Sequence, residues 1–173
     1  MTFEVRAYIS SIDKVIEKLK DLGAKFKSEY SFTDYIYTFK DNSEINLNNE
    51  FIRLREFEKS AWKHKKFTLV HKKTDWHDKT KSCKTLIKNE YNSMTQANRD
   101  LKNYKLYFKF YRTGLEYNLN GVNIHIEDIE HLKPSVEVVS ESEKAIDDLF
   151  SELHIKNRIS DSVPKLVERE LIK

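Results

Sequence analysis

Most of this chain alternates between apolar and polar side chains with a period of two residues, the pattern of β-strands whose two faces differ chemically. The first such segment, residues 3–9 (FEVRAYI), places four apolar side chains on one face and Glu4, Arg6 and Tyr8 on the other. We identify seven to nine such strands, with helical segments gathered between and after them. This order favours the α+β class over alternating βα units.

Helical spacing of apolar residues predicts helices that begin at Ser11, near Ser93 and at Ser142, and a last one in the tail SVPKLVEREL (162–171). The dipeptide Asn120-Gly121 predicts a hairpin turn between two strands. Two polar stretches, 41–50 (DNSEINLNNE) and 74–82 (TDWHDKTKS), are expected to be connections or loops. We therefore expect long strands with helices available to cover one face of the sheet.

Composition limits the class of protein. The 173 residues include only 3 glycines and 2 prolines and have no low-complexity tract, so we expect a single domain over 1–173. Lys and Arg (31) nearly balance Asp and Glu (28), which does not indicate nucleic-acid binding by net charge. The single cysteine, Cys83, excludes an internal disulfide and a cysteine-based metal site. No segment resembles a membrane span or signal peptide, so we expect a cytoplasmic protein that binds no membrane.

The polar faces of successive strands carry mainly basic and acidic side chains. Arg53 and Arg55 share one face, Lys72 lies on the next strand, and Lys105, Tyr107, Lys109 and Tyr111 share a face further along. A sheet with one solvated face gives the same alternation. A large sheet of long strands also tends to close, because closure removes exposed edges. With the apolar face outward, its interior would be polar and would suit polyphosphate with Mg²⁺ or Mn²⁺.

In the order and spacing of these segments the sequence resembles the CYTH superfamily, the triphosphate tunnel metalloenzymes. Its members include class IV adenylyl cyclases, thiamine triphosphatases, inorganic triphosphatases and fungal-type RNA triphosphatases. The resemblance covers nearly the whole chain and is carried by FEVRAYI (3–9), IRLRE (52–56), LVHKK (69–73), GVNIHIEDIEHL (121–132) and SVEVV (135–139). It implies an eight-stranded antiparallel β-barrel, or tunnel, with helices packed outside and a triphosphate bound inside.

The resemblance also implies roles for individual residues. Arg53 and Arg55 match the paired phosphate-binding arginines and Lys72 matches a lysine of the following strand. Lys109 or Arg112 would supply a further basic contact, the register there being open. Glu4, Glu127 and Glu137 match acids that hold the divalent metal, Mg²⁺ or Mn²⁺. The same three glutamates could instead be salt-bridge partners of the basic residues.

Several positions depart from the family pattern. Arg6 and Tyr8 replace the second acid and the lysine of the opening signature, and Val139 replaces the second acid of the late pair. A strand that carries two acids in the family would here present Lys84, Leu86 and Lys88. Fewer carboxylates should weaken metal binding. Arg6 is expected to stand in for a cation, contacting phosphate or pairing with Glu137.

Two functions follow from this pattern. In the first, the protein is a metal-dependent phosphoryl-transfer enzyme, a triphosphatase or an adenylyl cyclase, acting on a triphosphate in a polar β-tunnel. In the second, it binds a polyphosphate or nucleotide without turnover. The expected partner is a triphosphate-containing small molecule or nucleotide, and nucleic acid only as a 5′-triphosphate end. The sequence leaves the substrate and the oligomeric state open.

Overall fold

The computed structural model describes residues 2–40, 46–59, 66–77 and 80–173. These residues form nine β-strands and four α-helices. The strands are β1 (Phe3–Tyr8), β2 (Lys25–Phe39), β3 (Glu50–Lys59), β4 (Phe67–His77), β5 (Thr80–Tyr91), β6 (Tyr104–Leu119), β7 (Val122–Ile129), β8 (Ser135–Ser140) and β9 (Arg158–Ile159). The helices are α1 (Ile12–Asp21), α2 (Met94–Asp100), α3 (Glu143–Glu152) and α4 (Val163–Leu171).

Eight of the strands form a closed antiparallel barrel. They are hydrogen-bonded in the order β5-β4-β3-β2-β6-β7-β8-β1, and β1 pairs back with β5 where Glu4 faces Lys81. Further along the same edge of β1, the short strand β9 pairs with Arg6 and Ala7. The eight-stranded antiparallel barrel expected from the sequence is therefore confirmed.

The barrel is apolar outside and polar inside. Helices α1 and α3 pack on the outer faces of β1, β7 and β8, where Val5, Ile124, Val136 and Val138 are buried. Helix α2 covers the outer faces of β3 and β4 through a second apolar cluster, formed by Tyr37, Ile52, Leu54, Phe67, Leu69, Ala97 and Leu101. Because strand side chains alternate, the opposite faces of these strands carry their polar residues into the barrel.

Each helix begins after a serine that caps its first turn. The Oγ atoms of Ser11, Ser93, Ser142 and Ser162 accept a hydrogen bond from the backbone N–H three residues further on. Three of these starting points were predicted from the sequence. None of the described helices is long and apolar enough to cross a membrane.

Helix α4 closes one end of the barrel. Val163 and Val167 pack against inward-facing apolar side chains of the strands, among them Ile36, Phe51 and Phe110. Two hydrogen bonds hold the start of the helix. The Ser162 backbone N–H donates to Asn48 Oδ1 at 2.6 Å, and the Ser162 hydroxyl donates to the carbonyl of Leu47 at 2.5 Å. The interior is therefore shut on this side by the chain itself.

One sequence expectation about the connections needs correction. The segment 74–82 is mostly strand, because β4 continues to His77 and β5 begins at Thr80; residues 78 and 79 lie outside the described residues. The indole of Trp76 donates to the backbone carbonyl of Asn48 at 2.9 Å, which ties this part of β4 to the neighbouring segment. Residues 41–45 of the other polar connection also lie outside the described residues.

Candidate functional site

The barrel interior contains a cavity of about 240 Å³. All eight barrel strands and the first turn of α4 contribute to its wall. Its charged lining consists of Arg6, Arg53, Arg55, Lys72, Lys81, Arg112, Glu4, Glu127 and Glu137. The cavity is therefore a charged site enclosed within the fold.

One side of the cavity is organised by a buried carboxylate on β2, that of Asp34. Arg55 donates to both of its oxygens, at 2.7 and 2.9 Å, and Arg112 Nη2 lies 2.7 Å away. Arg53 Nε is further off, at 3.6 Å. Burial opposes the charged form of Asp34, but the three arginines outweigh it and hold its pKa well below the usual range. Asp34 is thus a fixed anion that positions two guanidinium groups and partly compensates a third.

The other side is a chain of alternating charges that runs from β6 to β1. Glu127 Oε2 lies 3.2 Å from Arg112 and 2.7 Å from Arg6. Arg6 also contacts Glu137, at 3.1 Å, and Lys81 contacts Glu137 and Glu4, at 2.9 and 3.1 Å. Burial opposes ionisation of Glu127 and Glu137, but the adjacent cations hold the pKa of both carboxyls below the usual range.

Arg53 and Lys72 are the two cations of the cavity with least compensation. Arg53 Nε is buried without a hydrogen-bond partner, and among the described residues Lys72 forms no ion pair. Burial and the neighbouring Arg55 lower the pKa of Arg53 to about 9, while burial and Arg53 lower the pKa of Lys72. With Asp34 included, six basic side chains face four carboxylates, an excess of two positive charges when all are ionised. Such an excess in a buried cavity attracts anions.

Aromatic side chains fix the position of the arginines. The Arg55 guanidinium lies 3.5 Å from the centroid of the Phe32 ring, and Arg112 lies 5.1 Å from it. Phe32 in turn stacks on Tyr30, with ring centroids 5.4 Å apart. These contacts restrain Arg55 and Arg112 beyond what their ion pairs do.

The structure brings most of the predicted site residues together and separates one of them. Eight line the cavity: Glu4, Arg6, Arg53, Arg55, Lys72, Arg112, Glu127 and Glu137. Lys109 does not: it is exposed on the outer face of β6 beside Tyr35. The reason is that Phe108, Phe110 and Arg112 take the inward positions of β6, with Phe110 buried against the start of α4. Of the two alternatives for the further basic residue, Arg112 is therefore the one that lines the cavity.

Sequence reasoning missed several residues in or beside the cavity, among them Lys81, Tyr30 and the buried Asp34. Lys81 lay in the segment that the sequence predicted to be a loop. In the structure β5 faces the cavity through Lys81 and Cys83, whereas the expected residues Lys84, Leu86 and Lys88 are exposed. Asp34 and Tyr30 lay in an aromatic-rich strand for which the sequence predicted only secondary structure and no site residue. Asp34 is an isolated acid on the same strand face as Tyr30, Phe32 and Ile36. Because a carboxylate on an apolar, buried face needs a buried cation, this pattern could have marked Asp34 as a site residue.

The carboxylates expected to hold a divalent metal do not fit that role in this arrangement. Glu127, Glu137 and Glu4 are each in contact with Arg6, Arg112 or Lys81. Within the described residues, no group of three or more His, Cys, Asp or Glu side chains could hold a metal ion. The expected pairing of Arg6 with Glu137 is present, at 3.1 Å.

Comparison with known proteins identifies solved structures that share this fold. No protein-family model matches the sequence, and no curated protein sequence matches it. Among solved structures, the PH1819 protein of Pyrococcus horikoshii aligns with a TM-score of 0.78 and 18% identity, over 98% of this chain and 99% of that one. A putative adenylate cyclase from Vibrio parahaemolyticus aligns with a TM-score of 0.72 and 12% identity, over 96% and 97%.

A third solved structure adds an activity to the comparison. The putative adenylyl cyclase HpAC1 from Hippeastrum, described as having a dominant triphosphatase activity, aligns with a TM-score of 0.71 and 11% identity, over 98% and 96% of the two chains. Identities this low establish a shared fold. The tunnel fold implied by the sequence resemblance is thereby confirmed across almost the full length of the chain.

Proposed function

We propose that the barrel cavity binds the phosphate chain of a triphosphate-containing small molecule or nucleotide. The observation that carries this proposal is the pair Arg53 and Lys72, two cations in the cavity that lack full counter-ions. A chain of phosphates presents several anionic oxygens in a row, and guanidinium and ammonium groups bind such oxygens through charge-assisted hydrogen bonds. Arg55, next on the same face of β3, extends this basic surface.

The size and closure of the cavity support a ligand bound by its phosphates. Pockets that enclose drug-sized ligands typically measure about 300–1,000 Å³, and this one is smaller, at about 240 Å³. Helix α4 closes one end. In this proposal the phosphates enter from the opposite end, and a base or other group attached to them stays at the mouth.

The fold comparison supports the same ligand class. The chain shares its fold with two putative adenylate cyclases, one of which is described as a triphosphatase. With the sequence resemblance, this favours placing the chain in the CYTH superfamily as a divergent member. Fold likeness alone does not define an activity, so the proposal depends on the cavity residues.

Isothermal titration calorimetry with inorganic tripolyphosphate tests the proposal. Each charge-assisted contact removed should cost about 1.5–3 kcal/mol, so Arg53→Ala and Lys72→Ala should each weaken binding by roughly one to two orders of magnitude. Lys105→Ala is the matched control, since Lys105 is an exposed lysine of β6 that does not line the cavity. If the wild-type chain does not bind tripolyphosphate, or if Lys105→Ala weakens binding equally, the proposal is wrong.

Turnover of the bound triphosphate is a second candidate function, favoured by the triphosphatase description of the Hippeastrum protein. Here Arg53, Arg55 and Lys72 would neutralise charge on the phosphate oxygens during transfer. Release of phosphate, pyrophosphate or cyclic AMP from tripolyphosphate, ATP, thiamine triphosphate and 5′-triphosphate RNA would be measured with and without Mg²⁺ and Mn²⁺. Turnover that disappears in folded Glu127→Gln supports an enzyme, whereas binding without turnover supports the binding function.

A further inference from the structure

We infer that this cavity binds its phosphate ligand without a divalent metal ion, because Arg6 and Lys81 already serve as the cations of its carboxylates. The inference rests on the proposed function and concerns how the same site neutralises its ligand. It runs against the Mg²⁺ or Mn²⁺ requirement that the sequence resemblance implies.

Arg6 lies between carboxylates of two neighbouring strands. Its Nη2 atom is 2.7 Å from Glu127 Oε2 on β7 and 3.1 Å from Glu137 Oε1 on β8. Its Nη1 atom donates to the Ser135 hydroxyl at 2.8 Å. The side chain is only 4% exposed, so this guanidinium is a permanent part of the wall. It pairs with two of the three acids that the sequence resemblance assigns to a metal ion.

Lys81 does the same for the next pair of carboxylates. Its Nζ atom lies 2.9 Å from Glu137 Oε1 and 3.1 Å from Glu4 Oε2. An Mg²⁺ ion needs a near-octahedral set of oxygens at about 2.0–2.1 Å. A metal ion at these carboxylates would lie beside the ammonium group of Lys81 and the guanidinium of Arg6, and both cations would repel it.

The remaining basic residues supply the charge that a metal would otherwise bring to the ligand. Arg53 and Lys72 are the under-compensated cations, and they lie in the same cavity as the carboxylates that Arg6 and Lys81 neutralise. The ligand is thus expected to bind as the metal-free anion. Since Mg²⁺ complexes triphosphate in solution, adding Mg²⁺ should withdraw ligand from the protein and weaken the apparent binding.

Calorimetric titration of tripolyphosphate into the full chain, in a buffer with EDTA and in one with excess Mg²⁺, tests the inference. We expect binding in EDTA that is as tight as in Mg²⁺ or tighter. Binding that occurs only with Mg²⁺ would overturn the inference and leave the proposed function standing. An absence of binding in both buffers would overturn the two together.

Manganese binding to the ligand-free chain, followed by electron paramagnetic resonance, gives a second measurement that needs no substrate. We expect no stoichiometric Mn²⁺ site in the wild-type cavity; a site that is lost in Glu137→Gln would overturn the inference. Lys81→Met removes the cation paired with Glu4 and one of the two cations paired with Glu137, and should raise Mn²⁺ affinity at least tenfold. Lys84→Met, an exposed lysine of the same strand, is the control. A folded Lys81→Met chain without this gain also counts against the inference, and if the variant does not fold, the wild-type measurements decide.

Discussion

Asp34 and Arg55 form a two-point ion pair inside the barrel, with Arg55 Nε and Nη2 donating to the two oxygens of Asp34 at 2.7 and 2.9 Å. The pair joins β2 to β3, where the two residues lie opposite each other in the strand register. Asp34 also contacts Arg112 on β6, so one carboxylate links three consecutive strands of the barrel. Both the stability of this wall and the placement of its cations depend on that carboxylate.

Replacing Asp34 by Asn should therefore destabilise the fold strongly. Removing one partner of a buried ion pair leaves uncompensated charge and typically costs about 3–5 kcal/mol. Urea unfolding followed by circular dichroism would measure the loss. Asp128→Asn is the matched control, since Asp128 is exposed on β7, and it should change the free energy of unfolding little. Equal stability of the two variants would contradict this account of Asp34.

Gly114 should tolerate no side chain while Tyr30 is present. A Cβ atom at Gly114 would lie 2.2 Å from Tyr30 Cζ, and the Tyr30 hydroxyl donates to Glu127 at 2.8 Å across this space. Gly114→Ala should cost about 1–3 kcal/mol in unfolding free energy, the usual range for overpacking.

A double-mutant cycle separates this contact from a general effect on β6. In a Tyr30→Ala background the ring is gone, so Gly114→Ala should cost clearly less. An equal cost in both backgrounds would show that the Tyr30 ring is not the obstacle.

Affinity for tripolyphosphate should fall as the pH rises through about 9. In the free protein, burial and Arg55 lower the pKa of Arg53 to about 9, and burial and Arg53 lower that of Lys72. A bound anion favours the charged forms and raises both pKa values, so binding takes up protons in this range.

Titrations in buffers of different ionisation enthalpy would measure the proton uptake. Lys72→Met should reduce the uptake, whereas Lys105→Met should not change it. A pH-independent affinity across this range would contradict the assignment of Arg53 and Lys72 to the anion site.

Cys83 offers a direct test of where the ligand binds. It is the single cysteine of the chain and lines the cavity beside Thr74 and Glu4. Burial and the nearby Glu4 raise the pKa of its thiol, so alkylation by iodoacetamide should be slow at neutral pH.

Tripolyphosphate should slow this alkylation further by filling the cavity, as measured by mass spectrometry. Arg53→Ala should remove the protection without making the thiol unreactive. Protection that persists unchanged in Arg53→Ala would show that Arg53 does not hold the ligand.

Strand alternation predicted the inward faces of several strands correctly. The two-residue alternation of strands predicted that four charged side chains face the barrel interior, and all four line its cavity: Arg53 and Arg55 on β3, Glu127 on β7 and Glu137 on β8. On β6 the same alternation left Lys109 and Arg112 as alternatives, and the structure places Arg112 in the cavity and Lys109 outside it. There, both faces carry large side chains, and only the apolar contact of Phe110 with α4 decides that Lys109 points outward.

The sequence by itself determined the alternating faces, the serine caps and the Asn120-Gly121 turn, because these depend on residues within a few positions of each other. Only the tertiary structure decided which cations meet which carboxylates. Arg6 and Glu127 are far apart in the chain and meet because β1 and β7 both flank β8 in the barrel wall, whereas Lys81 reaches Glu4 only because β5 pairs with β1. The electrostatics of a buried site depend on such distances, so the same inventory of charges could have formed a metal site. In this barrel each of these acids has a cationic partner, and among the described residues Arg53 and Lys72 are the cavity cations with the least compensation, which leaves them to bind an anion.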